Sequence, residues 1–191
     1  MGASPPTPAA VRYAILGTGL MGVEHLRNLL TLADDGAGVA VTALADPEPS
    51  SLAAAAAAWA DHHAAAAAAA AARGGDRAAT PPPPLPPTYA SGAALYAAGG
   101  FDVLVVASPN WTHAAVVAAA MAALPPTTHL LVEKPLCTTV GDCRAMVADA
   151  KGASPSARGR HARVVPRDGG CPARAAVGGG VSVVCCAFAV C

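Results

Sequence analysis

Apolar positions along this chain alternate between short unbroken runs and stretches with helical spacing. "VRYAILG" (Val11–Gly17), "VAVTALAD" (Val39–Asp46), "FDVLVVAS" (Phe101–Ser108) and "THLLVEKP" (Thr128–Pro135) are apolar almost throughout, as parallel strands covered on both faces are. Between them, Leu20, Val23, Leu26, Leu29 and Leu30 recur at helical spacing until "DDG" (Asp34–Gly36) stops the helix. Leu52–Ala72 is nearly all alanine, the strongest helix former, with Trp59 as its one large anchor. "ALYAAGG" predicts a short helix ending at Gly99 and Gly100. "PNWTHAAVVAAAMAAL" predicts another, with Asn110 and Thr112 as candidate caps. "TTVGDCRAMVADAKG" predicts a last one, with Thr139 and Asp142 at capping-box spacing and Gly152 at its stop. Strands alternating with helices predict βαβ units in an α/β, Rossmann-like, doubly wound parallel sheet: a single domain with an irregular C-terminal tail.

Two stretches break this rhythm. "RGGDRAATPPPPLPPTYAS" (Arg73–Ser91) is rich in breakers and is expected to be loop or polyproline II. Pro81–Pro87 thus has two readings: a weak ligand of SH3 or WW type, or, favoured, part of a low-complexity Ala/Pro insertion at about residues 64–87 on a surface loop. Residues 153–191 hold no sustained period apart from a final apolar run. The expected division is a disordered N-terminus (1–10), an α/β domain (11–152), and an irregular tail (153–191) with no second domain.

Composition narrows the function. The chain of 191 residues is 54% hydrophobic but only 4% aromatic, so much of the apolar count is alanine that buries little area. Twelve basic residues balance twelve acidic ones, with no basic patch for nucleic acid. The N-terminus lacks the charged start and apolar stretch of a secretory signal. The late run "VSVVCCAFAVC" is 11 residues long, too short for the ~18 of a membrane span. A soluble cytoplasmic protein is the expectation. The six cysteines (Cys137, Cys143, Cys171, Cys185, Cys186 and Cys191) form no C-x-x-C pair, and no metal site is expected among them.

The candidate chemistry begins at "GTGLMG" (Gly17–Gly22). Three glycines at this spacing follow a strand and open a helix, the context a dinucleotide-binding loop requires. Gly17 permits the tight turn, Gly19 lets the backbone approach a pyrophosphate, and Gly22 allows close packing of helix on strand. The helix start offers free N–H groups and partial positive charge to phosphates. Asp46, 24 residues after Gly22 at the end of the next strand, is placed to bond the adenosine ribose hydroxyls. Its charge repels a 2′-phosphate, which favours NAD, with NADP as the alternative. "SPNWTH" (Ser108–His113) and "EKP" (Glu133–Pro135) close two later strands at the same edge, where open α/β sheets bind ligands.

Taken in order, "GTGLMG", "ALAD", "ASPNWTH" and "VEKPL" resemble the N-terminal domain of the Gfo/Idh/MocA oxidoreductases over Val11–Gly152. The resemblance implies a Rossmann domain followed by an α+β substrate domain. It also implies hydride transfer between NAD(P) and a sugar, inositol or related alcohol. It would set Gly17, Gly19, Leu20 and Met21 along the pyrophosphate and Asp46 on the ribose. Ser108, Pro109, Asn110 and His113 would border the nicotinamide, and Glu133 would help hold the cofactor. Lys134 would hydrogen-bond the reacting hydroxyl, with the Lys134–Pro135 bond cis. Nothing in the tail matches the substrate domain, so the expectation is a truncated cofactor domain inactive by itself. A non-catalytic dinucleotide-sensing module and a gene fragment without function are the rival readings.

Overall fold

The structure is a computed structural model that describes residues 9–73, 81–152, 161–164 and 182–185. The expected disordered N-terminus lies outside the described residues except for its last two positions, as does most of 153–191.

The apolar runs form the sheet. Strands β1 (Val11–Leu16), β2 (Val39–Ala45), β3 (Thr88–Tyr89), β4 (Val103–Val106), β5 (His129–Val132), β6 (His161–Val164) and β7 (Ser182–Cys185) are ordered β3-β2-β1-β4-β5-β7-β6. Every pairing is parallel. Helices α1 (Leu20–Asp34), α2 (Pro49–Ala72), α3 (Gly92–Ala98), α4 (His113–Ala123) and α5 (Val140–Gly152) make the crossovers. Two segments of the stretch expected to be irregular, β6 and β7, therefore extend the β5 edge. In the sequence, "HARV" mixes polar and apolar positions, and "SVVC" lies inside the final apolar run, so neither carries a strand signal of its own.

Each central strand is buried on both sides, and its alternate residues sort into two cores. Ala14, Leu16, Leu104, Val106 and Val132 meet Leu95, Val117 and Met146 on the α3–α4–α5 side. Ile15, Leu44 and Val105 meet Leu26, Leu30 and Trp59 on the α1–α2 side. This two-sided burial is why the runs are continuous rather than alternating. Leu20, expected on the apolar stripe of α1, is instead 87% exposed at the helix start, while Val23, Leu26, Leu29 and Leu30 are buried.

Helix α2 begins at Pro49, three residues before the alanine run, because proline is well suited to a first helical position. It runs unbroken to Ala72, so residues 64–72 continue a helix and are not a loop insertion. Ala55, Ala58 and Trp59 are its buried residues. Each buried methyl contributes about 0.8 kcal/mol at most, so the indole is the dominant anchor. Trp59 Nε1 also donates to the Pro83 carbonyl at 3.1 Å, which lays the proline segment along the helix. Pro86 is buried, and the Pro87 carbonyl accepts from Leu44 N at 3.0 Å. "TY" at the end of this segment, expected as loop, is the edge strand β3. It is too short to show a pattern, but it satisfies the outer hydrogen bonds of β2.

Caps were partly legible. Thr139 Oγ1 accepts from Asp142 N at 3.1 Å, as the capping-box spacing predicts, while Ser91 Oγ, which the sequence did not single out, accepts from Ala94 N at 3.2 Å. The Asn110 and Thr112 side chains do not cap α4: residues 110–112 form a 3-10 turn, and neither helix start carries a side-chain cap. No helix among the described residues is long and apolar enough to cross a membrane.

Candidate dinucleotide site

The C-terminal ends of β2, β1, β4 and β5 continue their pairing into the loops that follow. Gly17 N donates to Ala45 O at 2.8 Å, Ala107 N to Leu16 O at 2.8 Å, and Glu133 N to Val106 O at 2.9 Å. These bonds set the glycine loop, the "SPNWTH" turn and the "EKP" turn side by side along one edge.

At the β1 end, the three glycines differ in what surrounds them. Gly17 has φ +92°, and a Cβ there would lie 2.5 Å from Ser108 N. A Cβ on Gly22 would run into the Gly17 carbonyl. Above Gly19, by contrast, a Cβ would meet nothing within 4 Å. Gly19 is the N-cap of α1, with no side-chain cap and no acidic residue in the first turn. The first N–H groups of α1 therefore have no side-chain partner, and the space over Gly19 admits a phosphate. Leu20 and Met21 follow directly, both exposed.

Asp46 is buried beside this loop. Its Oδ2 accepts from Thr18 N at 2.6 Å and from Thr18 Oγ1 at 3.3 Å, and its Oδ1 accepts from Glu48 N at 2.9 Å. The carboxylate thus ties the glycine loop to the end of β2 while keeping acceptor capacity on Oδ1. The tie to Thr18 was not legible from the motif.

At the β4 end, Ser108 Oγ pairs with Thr112 Oγ1 at 2.8 Å, and Thr112 Oγ1 also bonds the Pro109 carbonyl at 2.7 Å. That is where the Thr112 hydroxyl goes instead of capping. Pro109 is exposed and Asn110 half-buried. His113, expected along the nicotinamide, is only 1% exposed. Its Nε2 lies 2.9 Å from Ser108 O and its Nδ1 2.9 Å from Pro135 O. The ring therefore braces the two turns from beneath and offers no free nitrogen to a ligand.

At the β5 end, Lys134 is exposed and its bond to Pro135 is cis. Glu133 is buried: Oε2 accepts from Lys134 N at 3.0 Å, and Oε1 lies 2.8 Å from His25 Nε2. Burial pushes the Glu133 carboxyl up, but the hydrogen bonds from His25 and Lys134 N and the neighbouring positive charges outweigh it. The net position is below the usual value. His25, on α1, carries no sequence signal toward this role, since its partner is 108 residues away.

A parallel sheet whose strand order reverses at β1/β4, with a glycine turn feeding an uncapped helix there, defines a Rossmann-type dinucleotide-binding domain. The chain belongs to the Gfo/Idh/MocA oxidoreductase family: that family's model, an NAD-binding Rossmann fold, matches residues 11–156. Solved structures with similar folds include myo-inositol dehydrogenase from Lactobacillus casei in complex with NAD(H) and myo-inositol. It shares 23% identity over 75% of this chain and 34% of that one, with TM-score 0.55. The WlbA dehydrogenase from Bordetella pertussis, in complex with NADH and UDP-GlcNAcA, shares 23% over 75% and 35%, with TM-score 0.51. Scyllo-inositol dehydrogenase from Lactobacillus casei, with NAD(H) and scyllo-inositol, shares 16% over 75% and 34%, with TM-score 0.52. At these identities the likeness is one of fold. The chain spans about a third of the length of these solved relatives. No curated protein matches it.

Proposed function

We propose that residues 11–156 are the cofactor half of a cytoplasmic oxidoreductase. It would move a hydride between NAD and a CH–OH carbon of a sugar, an inositol or a related alcohol. The observation that carries this reading is the glycine loop: an uncapped helix start with open space over Gly19, hemmed by two glycines that admit no side chain. The solved relatives bound to NAD(H) with inositols, or to NADH with a nucleotide sugar, support the cofactor and the substrate class.

NAD supplies the hydride-accepting nicotinamide; the residues of this chain bind and orient. Gly17, Gly19, Leu20, Met21 and Gly22 line the pyrophosphate, with N–H groups at the start of α1 facing it. Asp46 bonds the ribose hydroxyls and disfavours a 2′-phosphate. Ser108, Pro109 and Asn110 border the nicotinamide side, and His113 fixes their turn from below. Glu133 shapes the β5 turn and helps hold the cofactor. Lys134 hydrogen-bonds the substrate hydroxyl, and its charge eases loss of that proton to a base on the substrate half.

Calorimetric titration of the 191-residue chain with NADH and NADPH tests the reading. NADH is expected to bind and be preferred, with no turnover of inositols or glucose by this chain alone. Absence of NADH binding would overturn the cofactor assignment. NAD-dependent turnover would show that a proton acceptor lies within these 191 residues.

A further inference from the structure

We propose that His25 is a positioning residue for Lys134, acting through Glu133. The inference deepens the functional reading above and rests on Lys134 being the group that meets the substrate hydroxyl.

The geometry is a relay of three groups on two elements. His25 stands one turn into α1, the helix whose first turn faces the pyrophosphate in that reading. Its Nε2 lies 2.8 Å from Glu133 Oε1, with the two side chains 13% and 4% exposed. Glu133 Oε2 accepts from the Lys134 backbone N–H at 3.0 Å. An ionised carboxylate only accepts, and Glu133 is held below its usual range, so the bridging proton is on His25 Nε2. With one oxygen held by His25, the other is aimed at the Lys134 main chain, and its charge lies beside the lysine. A carboxylate buried to this degree and deprived of its donor would turn to find another, carrying the Lys134 turn with it. His25 thereby couples the helix under the pyrophosphate to the lysine at the far end of the site.

Lys134 and Lys151 are the only lysines in the chain, so reductive ¹³C-methylation places one label in the site, one control on α5 and one on the N-terminal amine. Three substitutions separate a donor from a space-filler: His25→Leu removes the donor, His25→Phe keeps a ring without one, and His25→Gln restores a donor. With no cofactor present, the Lys134 methyl resonance is expected to move in His25→Leu and His25→Phe. It should return toward the parent position in His25→Gln, while Lys151 stays fixed in all. NADH affinity should fall about tenfold in the donorless variants. A Lys134 resonance unmoved in a donorless variant that melts cooperatively overturns the proposal.

Should both donorless variants fail to fold, the parent still decides. A His25 Nε2–H held by Glu133 gives a slowly exchanging low-field proton signal, and its absence would overturn the relay. The lysine-methyl and low-field proton signals need no cofactor, so they stand apart from the titration. A parent that binds no NADH removes the proposed function, whereas an unmoved Lys134 signal removes only the role of His25.

Discussion

The two halves of the ligand edge are built by different means. At the β1–β2 end the chain works with main chain: glycines remove side chains, and one carboxylate, Asp46, collects main-chain N–H groups from Thr18 and Glu48. At the β4–β5 end it works with buried side chains that tie separate turns and helices together. His113 reaches both Ser108 and Pro135, and His25 reaches Glu133 across 108 residues. The first half is a cradle whose shape depends on atoms that are missing. The second is a truss whose shape depends on atoms that are present. Substitutions that add atoms should therefore harm the first half most, and substitutions that delete hydrogen-bonding groups should harm the second.

The largest expected effect is the addition of one methyl at Gly22. Ala is favoured over Gly in a helix by about 1 kcal/mol. Here the Cβ meets the Gly17 carbonyl, a backbone atom that cannot swing aside. Overpacking of this kind costs about 3 kcal/mol, so the clash wins over propensity. Gly22→Ala is expected to lower the thermal midpoint sharply in a circular-dichroism melt. A midpoint equal to the parent's would mean that α1 sits less tightly on β1 than described.

Next comes Gly19→Val, where more atoms should do less harm to the fold. Gly19 has ordinary φ −65° and open space around it, so the fold should lose only about 1 kcal/mol, the preference of an N-cap position for Gly over Val. NADH binding, measured by calorimetry, should nevertheless fall on the order of 100-fold, because the valine occupies the phosphate's approach. If the variant binds as the parent does, the pyrophosphate does not lie there.

What sequence reading could see follows the same division. The glycine turn between β1 and α1, the place of Asp46 at the end of β2, and the four strands β1, β2, β4 and β5 were legible because they rest on local spacing and continuous apolar runs. The edge strand Thr88–Tyr89 was not, since two residues have no period; His161–Val164 mixes polar and apolar positions, and Ser182–Cys185 lies inside a longer apolar run with no helical spacing beside it. The Thr112 cap failed because its hydroxyl had nearer partners in Ser108 and Pro109. The burial of His113, and its contacts with Ser108 and Pro135, could not be read from the motif, because a motif gives position along the chain and not burial. His25 was invisible: a histidine on a helix says nothing until the glutamate 108 residues away is folded against it.

A smaller effect is expected at Asp46, which serves both loop and ligand. Asp46→Ser removes a charged acceptor worth about 1.5–3 kcal/mol in hydrogen bonds, so NADH should weaken roughly tenfold or more. NADPH should hold or improve, since the repulsion against its 2′-phosphate goes with the carboxylate. The melt should drop as well, because Thr18 N and Glu48 N lose their acceptor. A lower melt with an unchanged NADH-to-NADPH ratio would assign Asp46 to the loop alone.

The smallest effect tests the truss and shows only in acid. Glu133 is shifted below the ordinary value of 4.5: burial opposes ionisation, but His25, the Lys134 N–H and their charges favour it more strongly. A carboxyl whose folded value is depressed contributes stability above its unfolded value and loses it as pH falls through the folded one. In Glu133→Gln that contribution is absent at every pH. The parent should therefore be the more stable protein near neutrality, and the two thermal midpoints should converge as pH falls below about 4.5. Other carboxylates, such as Asp102 beside Arg12, titrate in both proteins and cancel in the difference. Curves that stay parallel down to acid unfolding would mean that Glu133 is not the ionised partner of His25, and the β5 end would then be held by His113 alone.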